Sequence, residues 1–430
     1  MNIIEIFKNK YLKSKFSQDF TWIFTSQLVL ATNGILLNIF ISNFYSAELL
    51  GVFNQALSFF LILTAVSNFG LFNTTVKFVS ESANSTEIIK KIASTNFILA
   101  FVFSTLVVLF IWLISYMGFS LFSSFQVLKA SKIVLLAIPC FTMNRIFMGY
   151  FNGIRNMKMY SLMRIFRWVS YILFFVIISV ISHDFYSSLY SFLLVEFLLL
   201  FIISTKYYSF FSLKINFAEI KKNLSFGSKS FLSEIVSYSQ DKLDIIIIGY
   251  ILSASDVGIY SFAASIAKGV LIIPAVFMQN VNPIISKLWV EQKINGIQIY
   301  ITKLKNYSIK IMIPFSLLVI ILYFIIINFF MPPEFSTTMV IFLIMLLGAF
   351  LLSSISWSGG FLLMAGKLNP NFIRVVLLLL ISGVLNSTFA YSFGLIGAAS
   401  AYLVFSITVL FLQNWFLGRF MNIRLMGDSL

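Results

Sequence analysis

The chain has 430 residues, 60% of them hydrophobic and only 10% charged, with a mean hydropathy of +0.97; this excludes a soluble globular domain and makes it a polytopic membrane protein. Its formal charge of +15 would suggest nucleic acid in a soluble protein, but the basic residues sit in short loops between apolar runs, where the positive-inside rule accounts for them. The single cysteine, Cys140, excludes an intrachain disulfide, and with the single histidine, His183, it leaves no zinc cluster to build.

Apolar runs of about 20 residues, the length that crosses the hydrocarbon, lie at 20–43, 49–76, 93–116, 133–152, 160–182, 185–205, 228–252, 256–283, 307–330, 336–364, 370–391 and 394–418, which makes twelve spans. The first is too long for a signal-peptide core and lacks a small-residue cleavage site, so it is expected to stay as an uncleaved span. Basic residues fill alternate loops. Lys8, Lys10, Lys13 and Lys15 lead in; Lys77, Lys90 and Lys91 follow the second span; Arg155 and Lys158 follow the fourth. Lys206, Lys214, Lys221 and Lys222 follow the sixth, Lys287, Lys293, Lys303 and Lys305 the eighth, Lys367 the tenth, and Arg419 and Arg424 close the chain. The other loops carry Glu48, Asp184, Asp256 and Glu334, with Lys129 and Lys132 as their only basic residues. This asymmetry puts both termini on the cytoplasmic side.

A tandem repeat appears at a shift of 207 residues, where Ser46 to Ser58 lies over Ser253 to Ser265 with Gly51 on Gly258 and Ala56 on Ala263. A second match, at a shift of 210, places Gly149, Phe151 and Arg164 over Gly359, Phe361 and Arg374. The expected fold is an all-α polytopic membrane protein with twelve transmembrane helices in two homologous six-helix bundles. Six is even, so both halves insert alike and a pseudo-two-fold runs along the membrane normal. The expected boundaries are 1–205, a cytoplasmic linker at 206–227, and 228–430, with a substrate path between the halves near the midplane.

The seventh span is the most polar. Glu234, Ser237, Asp241 and Asp244 stand at i, i+3, i+7 and i+10 on one helical face, with Lys242 among them. Four charges facing lipid would cost on the order of 10 kcal/mol on insertion scales. They are expected to face a polar interior.

The tract LLGVFNQALSFFLILTAVSNFGLFNTTVKFVSES (Leu49 to Ser82), the tract DKLDIIIIGYILSASDVGIYSFAASI (Asp241 to Ile266) with its Asn282-Pro283 exit, and GLIGAASAYLV (Gly394 to Val404) resemble the Wzx-type polysaccharide flippases. These belong to the superfamily that also holds multidrug extruders and lipid II flippases. The resemblance covers essentially the whole chain and rests on diffuse Gly, Ala and apolar patterns. It implies alternating-access transport of undecaprenyl-diphosphate-linked oligosaccharide, an O-antigen or capsule repeat unit, from the cytoplasmic to the periplasmic leaflet of a bacterial inner membrane. Its implied partners are that lipid-linked oligosaccharide, membrane lipids and the polysaccharide polymerase machinery; no cofactor is implied beyond a coupling H⁺ or Na⁺. Lipid II flippases have two further helices, and this chain shows twelve.

Such a cargo needs cations for its diphosphate and polar side chains for its sugars. In span eight, Ser261, Ser265, Lys268 and Gln279 share a face, and the shift of 207 maps them to Asn54, Ser58, Leu61 and Phe72. Lys268 is either a phosphate ligand or the partner of an acid on span seven. Arg145 has no acid within one turn of its own helix and needs an acceptor from another helix or from cargo. Gly149 and Gly153 form a packing step. On span five Tyr160, Arg164, Arg167 and Tyr171 share a face; Arg164 suits interfacial anchoring and Arg167 lies deeper. Lys242 is expected to be neutralised by Asp241 and Asp244. Glu234, Asp241 and Asp244 suit a proton or Na⁺, and Glu196 either joins them or pairs with Arg145 or Arg167. Pro274, Pro283 and Pro314 are expected kink positions.

Two other classes compete. A membrane glycosyltransferase or ligase needs a large outer loop, and none is long here; an ATP-driven pump needs a phosphate loop, which Gly366-Lys367 does not complete. A cation-coupled drug extruder would want a cavity dominated by acids. Here Arg145, Arg167, Lys242 and Lys268 stand against Glu196, Glu234, Asp241 and Asp244, and basic residues without nearby acids favour an anionic lipid. Export of negative charge gains about 2.3 kcal/mol per charge per 100 mV from an inside-negative potential, so strict ion coupling is not a thermodynamic requirement.

Overall fold

The computed structural model describes residues 15–425 apart from 83, 84, 120, 121, 123 and 208–216. Lys8, Lys10, Lys13 and Lys214 of the expected basic loops lie outside the described residues, as do the side chains of Ser237, Asp241, Gln279 and Pro283. Among the described residues the chain is almost wholly helical, since lipid offers nothing to bond a free backbone group. The first helices are α1 (Lys15–Phe44), α2 (Ala47–Asn68), α3 (Leu71–Glu81), α4 (Thr86–Tyr116), α5 (Phe125–Leu135), α6 (Ile138–Gly153), α7 (Met157–Ser182), α8 (Phe185–Ser188) and α9 (Ser191–Lys206). They continue with α10 (Phe217–Ile251), α11 (Ala254–Gly269), α12 (Ile272–Val290), α13 (Ile294–Phe330), α14 (Thr338–Ser353), α15 (Phe361–Met364) and α16 (Leu368–Met421).

Eight of the described helical stretches are long and apolar enough to cross a membrane, and α5 with α6 makes a ninth span bent by 49°. Twelve crossings are reached by adding α10, which carries many charged residues, and the α11–α12 pair, which the break at Val270-Leu271 divides into shorter helices, and by dividing α16 at Gly394, whose φ of 58° and ψ of −138° are not helical. The outward faces are apolar: Leu106, Leu109, Phe110 and Leu113 of α4 and Leu317, Ile321 and Phe324 of α13 are exposed, the pattern of helices solvated by lipid. Several expected spans are broken in mid-run. Phe69 (φ 44°) and Gly70 (φ 70°) separate α2 from α3, Val270 and Leu271 separate α11 from α12, and Ser354–Gly360 separates α14 from α15. Pro314 lies inside α13 without interrupting it, and Pro274 is the third residue of α12, just past the break.

The chain divides into two compact units. One comprises residues to Leu37 and Ala56–Tyr238, the other Asn38–Gln55 and residues from Ser239, so α1, α2 and α10 each contribute to both. The core of the first is built on Phe78, Phe147, Phe151, Ile92 and Leu199, with Phe97 edge-on to Phe147. The core of the second gathers Trp357, Phe361, Phe416, Ile297, Ile423 and Leu425. Between α7 and α8, Asp184 caps α8 by accepting from the Ser187 N–H at 2.8 Å and its hydroxyl at 2.7 Å. Burial works to raise this carboxyl, but those bonds, the Tyr186 N–H and Lys129 outweigh it and hold it below the usual range.

The two halves of α16 run back along each other, because Arg374, twenty residues before Gly394, hydrogen-bonds Gln413, nineteen after it. The reversal is carried by Gly394, in a conformation close to the first central position of a type II′ turn, which a Cβ disfavours. A Cβ on Gly397 would come within 2.0 Å of the Phe389 carbonyl oxygen. Gly394→Ala is therefore expected to lower stability by about 1–3 kcal/mol, read as a drop in unfolding temperature in detergent. Gly394→Asn should not rescue it, since the position is not αL; an unchanged midpoint in both would show the turn to be unstrained.

Candidate functional site

In the first unit α6 is buried on nearly every face, so each polar group it carries must find a partner within the protein. Arg145 and Asn144 are neighbours in sequence and point about 100° apart. The Arg145 Nη2 donates to Glu234 Oε1 of α10 at 2.6 Å, and Asn68 Nδ2, at the end of α2, donates to the two oxygens of that carboxylate at 3.4 and 3.2 Å. The guanidinium lies 5.1 Å from the centre of the Phe72 ring and 5.7 Å from that of Tyr238. Asn144 turns the other way and donates to Glu196 Oε2 at 2.8 Å and to the Glu196 carbonyl at 2.9 Å. Arg167 of α7 closes on the same carboxylate, with Nε 2.5 Å from Oε1 and Nη2 donating to Oε2 at 3.1 Å. Phe60, Phe141, Trp168, Tyr171 and Phe192 surround this second pair in a cleft with room for about one water.

In the second unit Ser253 and Asp256 form a capping box that starts α11 and fixes its register. Lys268, near its end, donates to Asp244 Oδ2 of α10 at 2.6 Å; the Tyr260 hydroxyl donates to the same oxygen at 3.0 Å, and the ammonium lies 5.2 Å from the Tyr402 ring centre. Asn54 Nδ2 donates to Ser261 Oγ at 2.9 Å and contacts Asn38 Oδ1 at 3.4 Å. The backbones of α2 and α11 touch. A Cβ on Gly51 would stand 1.7 Å from the Ala254 carbonyl oxygen, and one on Gly258 would stand 2.1 Å from that of Ala47. Residue 47 matches 254 and 51 matches 258 at the repeat shift of 207, so the contact is reciprocal, as a local two-fold requires. Arg374 is buried, with Nη1 on Gln413 Oε1 and Nη2 donating to the Gly359 carbonyl at 3.1 Å and Asn371 Oδ1 at 3.0 Å; among the described residues no carboxylate accompanies it.

The structure corrects one step of the sequence argument. Arg145, Arg167 and Lys268 are not basic residues without nearby acids; each is closed on a carboxylate from another helix, Glu234, Glu196 and Asp244 in turn. Glu234 and Asp244 do not share a partner or a unit, since ten residues rotate α10 by about 1000°, which leaves their side chains about 80° apart. Asp244 goes to Lys268, and Lys242 is half-buried. Ser261 is buried on Asn54, whereas Ser265 is exposed and turns its hydroxyl to the Phe262 carbonyl of its own helix; Ser58 is buried. Asn68, Asn144, Tyr260 and Gln413 escaped the sequence reading. Asn68 was findable, because it lies fourteen residues from Asn54, about 40° from the same face of α2. Among the described residues no three His, Cys, Asp or Glu side chains converge as metal ligands.

A family model described as "Polysaccharide biosynthesis protein" matches residues 16–289. No curated protein sequence matches the chain significantly. Among solved structures the chain is similar to one described as "Lipid II flippase MurJ, inward closed conformation", at 17% identity and a TM-score of 0.74, covering 92% of this chain and 86% of that one. It is also similar to an inward-facing multidrug resistance MATE family transporter of the MOP superfamily, at 14% identity and a TM-score of 0.70, covering 94% and 96%. An outward-facing transporter of the same description matches at 12% identity and 0.64, covering 98% and 99%. At these identities the likeness is one of fold.

Proposed function

The chain belongs to the polysaccharide biosynthesis protein family, and we propose that it moves a phosphate-bearing, lipid-linked oligosaccharide between the leaflets of a bacterial inner membrane by alternating access. The observation that carries this reading is the accounting of buried charge. Among the described residues every buried carboxylate, Glu196, Glu234 and Asp244, is already held by Arg or Lys, while Arg374 has no acid at all. A cationic cargo would find no free buried acid there, and an anionic one finds an excess cation. This weighs against the drug-extruder reading, for which the fold alone would serve.

Arg145 and Lys268 are the proposed phosphate ligands, with Arg167 and Lys242 as further cations and Asn54, Ser58, Ser261, Ser265 and Gln279 as the polar groups for sugar. In the closed arrangement seen here both principal cations are occupied, so a phosphate must displace a carboxylate to reach them. A coupling ion is proposed to act through those same carboxylates, since protonating Glu234, Asp244 or Glu196 frees its cation; Asp241 is the fourth candidate.

The test is complementation of a flippase-deleted strain of the source organism, scored by its own surface polysaccharide. Restoration is expected with the native chain. No restoration, together with proton-dependent efflux of cationic dyes from vesicles, would replace the flippase by an extruder.

A further inference from the structure

The Arg145 site is filled by the protein itself. Its guanidinium and the Glu234 carboxylate are 2.6 Å apart, with side chains 11% and 6% exposed, while Arg145 Nη1 is buried and has no hydrogen-bond acceptor among the described residues. Glu234 has a second anchor, since Asn68 donates to both of its oxygens. A carboxylate and a phosphate ester meet a guanidinium in the same way, through paired oxygens on paired N–H groups. The arginine is also always charged, so taking its carboxylate away without a replacement anion leaves a buried charge uncompensated.

We infer that Glu234 is a resident counter-anion, an internal competitor that occupies the phosphate position on Arg145 and is exchanged for the cargo's diphosphate. This rests on the reading of the chain as a carrier of phosphate-linked lipid and adds to it a self-closing site. Asn68 gives the displaced carboxylate a donor to stay on, so exchange swaps one anion for another on Arg145 and leaves neither group bare. The spare N–H of Nη1 supplies the second prong that a diphosphate, but not the resident carboxylate in its present pose, would use. The Phe72 and Tyr238 rings lie against the guanidinium, with centres 5.1 and 5.7 Å away, and add apolar surface beside it.

The exchange can be read without transport. Inorganic diphosphate and farnesyl diphosphate serve as probes of the purified full chain in detergent, with affinity measured by titration and by ligand-induced rise of the unfolding temperature. Glu234→Gln keeps an acceptor for Arg145 and Asn68 but removes the competing charge, and should bind both probes at least tenfold more tightly than the native chain. Adding Arg145→Gln should return binding to background. Glu234→Asn is the second charge-free variant should the first fail to fold. Tighter farnesyl than inorganic diphosphate binding would identify a lipid-linked headgroup as the ligand; equal binding would assign the site to free phosphates.

Equal affinity in native and charge-free chains, or a gain that survives loss of Arg145, would overturn the exchange. Failure of the proposed function looks different: the tenfold gain would remain while the native gene restored no surface polysaccharide.

Discussion

Glu196→Ala should cost about 3–5 kcal/mol of stability, whereas Arg167→Met combined with Glu196→Leu should come back close to the native value or exceed it. The pair is buried with side chains 8% and 3% exposed and 2.5 Å apart, so removing the acid alone strands a guanidinium among Phe141, Tyr171 and Phe192. Removing both charges together replaces two desolvated ions by methylene-rich side chains of similar volume. Asn144 keeps an acceptor in the double variant, because its amide also donates to the backbone carbonyl at position 196. Unfolding in detergent micelles measures the stability, and surface polysaccharide measures the work. If the double variant is stable and still exports, the pair is a structural rivet; if it is stable and exports nothing, the charges take part in transport.

Gly51→Leu and Gly258→Leu should each destabilise by about 3 kcal/mol or more, at the upper end of overpacking effects. Their side chains would run into backbone carbonyl oxygens, at 1.7 and 2.1 Å from the first carbon, and a carbonyl inside a helix cannot turn aside as a side-chain end can. Relief requires α2 and α11 to part, which also breaks the Asn54–Ser261 bond. The control is Gly34→Ala in α1, where a Cβ meets nothing within 4 Å; there the gain in helix propensity should stabilise by about 0.5–1 kcal/mol. Equal unfolding temperatures for Gly51→Leu and Gly34→Ala would show that the close approach contributes nothing.

The sequence made the membrane class legible, because nothing but lipid accommodates apolar runs of that length. The repeat shift of 207 even paired residues that touch, as Gly51 and Gly258 and again Asn54 and Ser261 show. Ser67, Asn68 and Gly70 mark one break and Ser354, Ser356, Ser358, Gly359 and Gly360 the other, but each cluster lies inside a run long and apolar enough to pass for one continuous span. The helix resumes there because buried partners take up the freed backbone groups; the Gly359 carbonyl goes to Arg374 and that of Ser358 to Gln413. Charges were legible as residues but not as pairs. Arg145 and Glu234 are 89 positions apart, and no local periodicity links them. For the same reason Arg145, Arg167 and Lys268 look unopposed in the sequence, because their acids come from other helices.

The reversal at Gly394 bears on how the molecule is made. One non-helical residue between two stretches that each cross the bilayer leaves no slack for the first to settle before the second arrives. These two crossings are therefore expected to leave the translocon side by side, as a hairpin tied by Arg374 and Gln413.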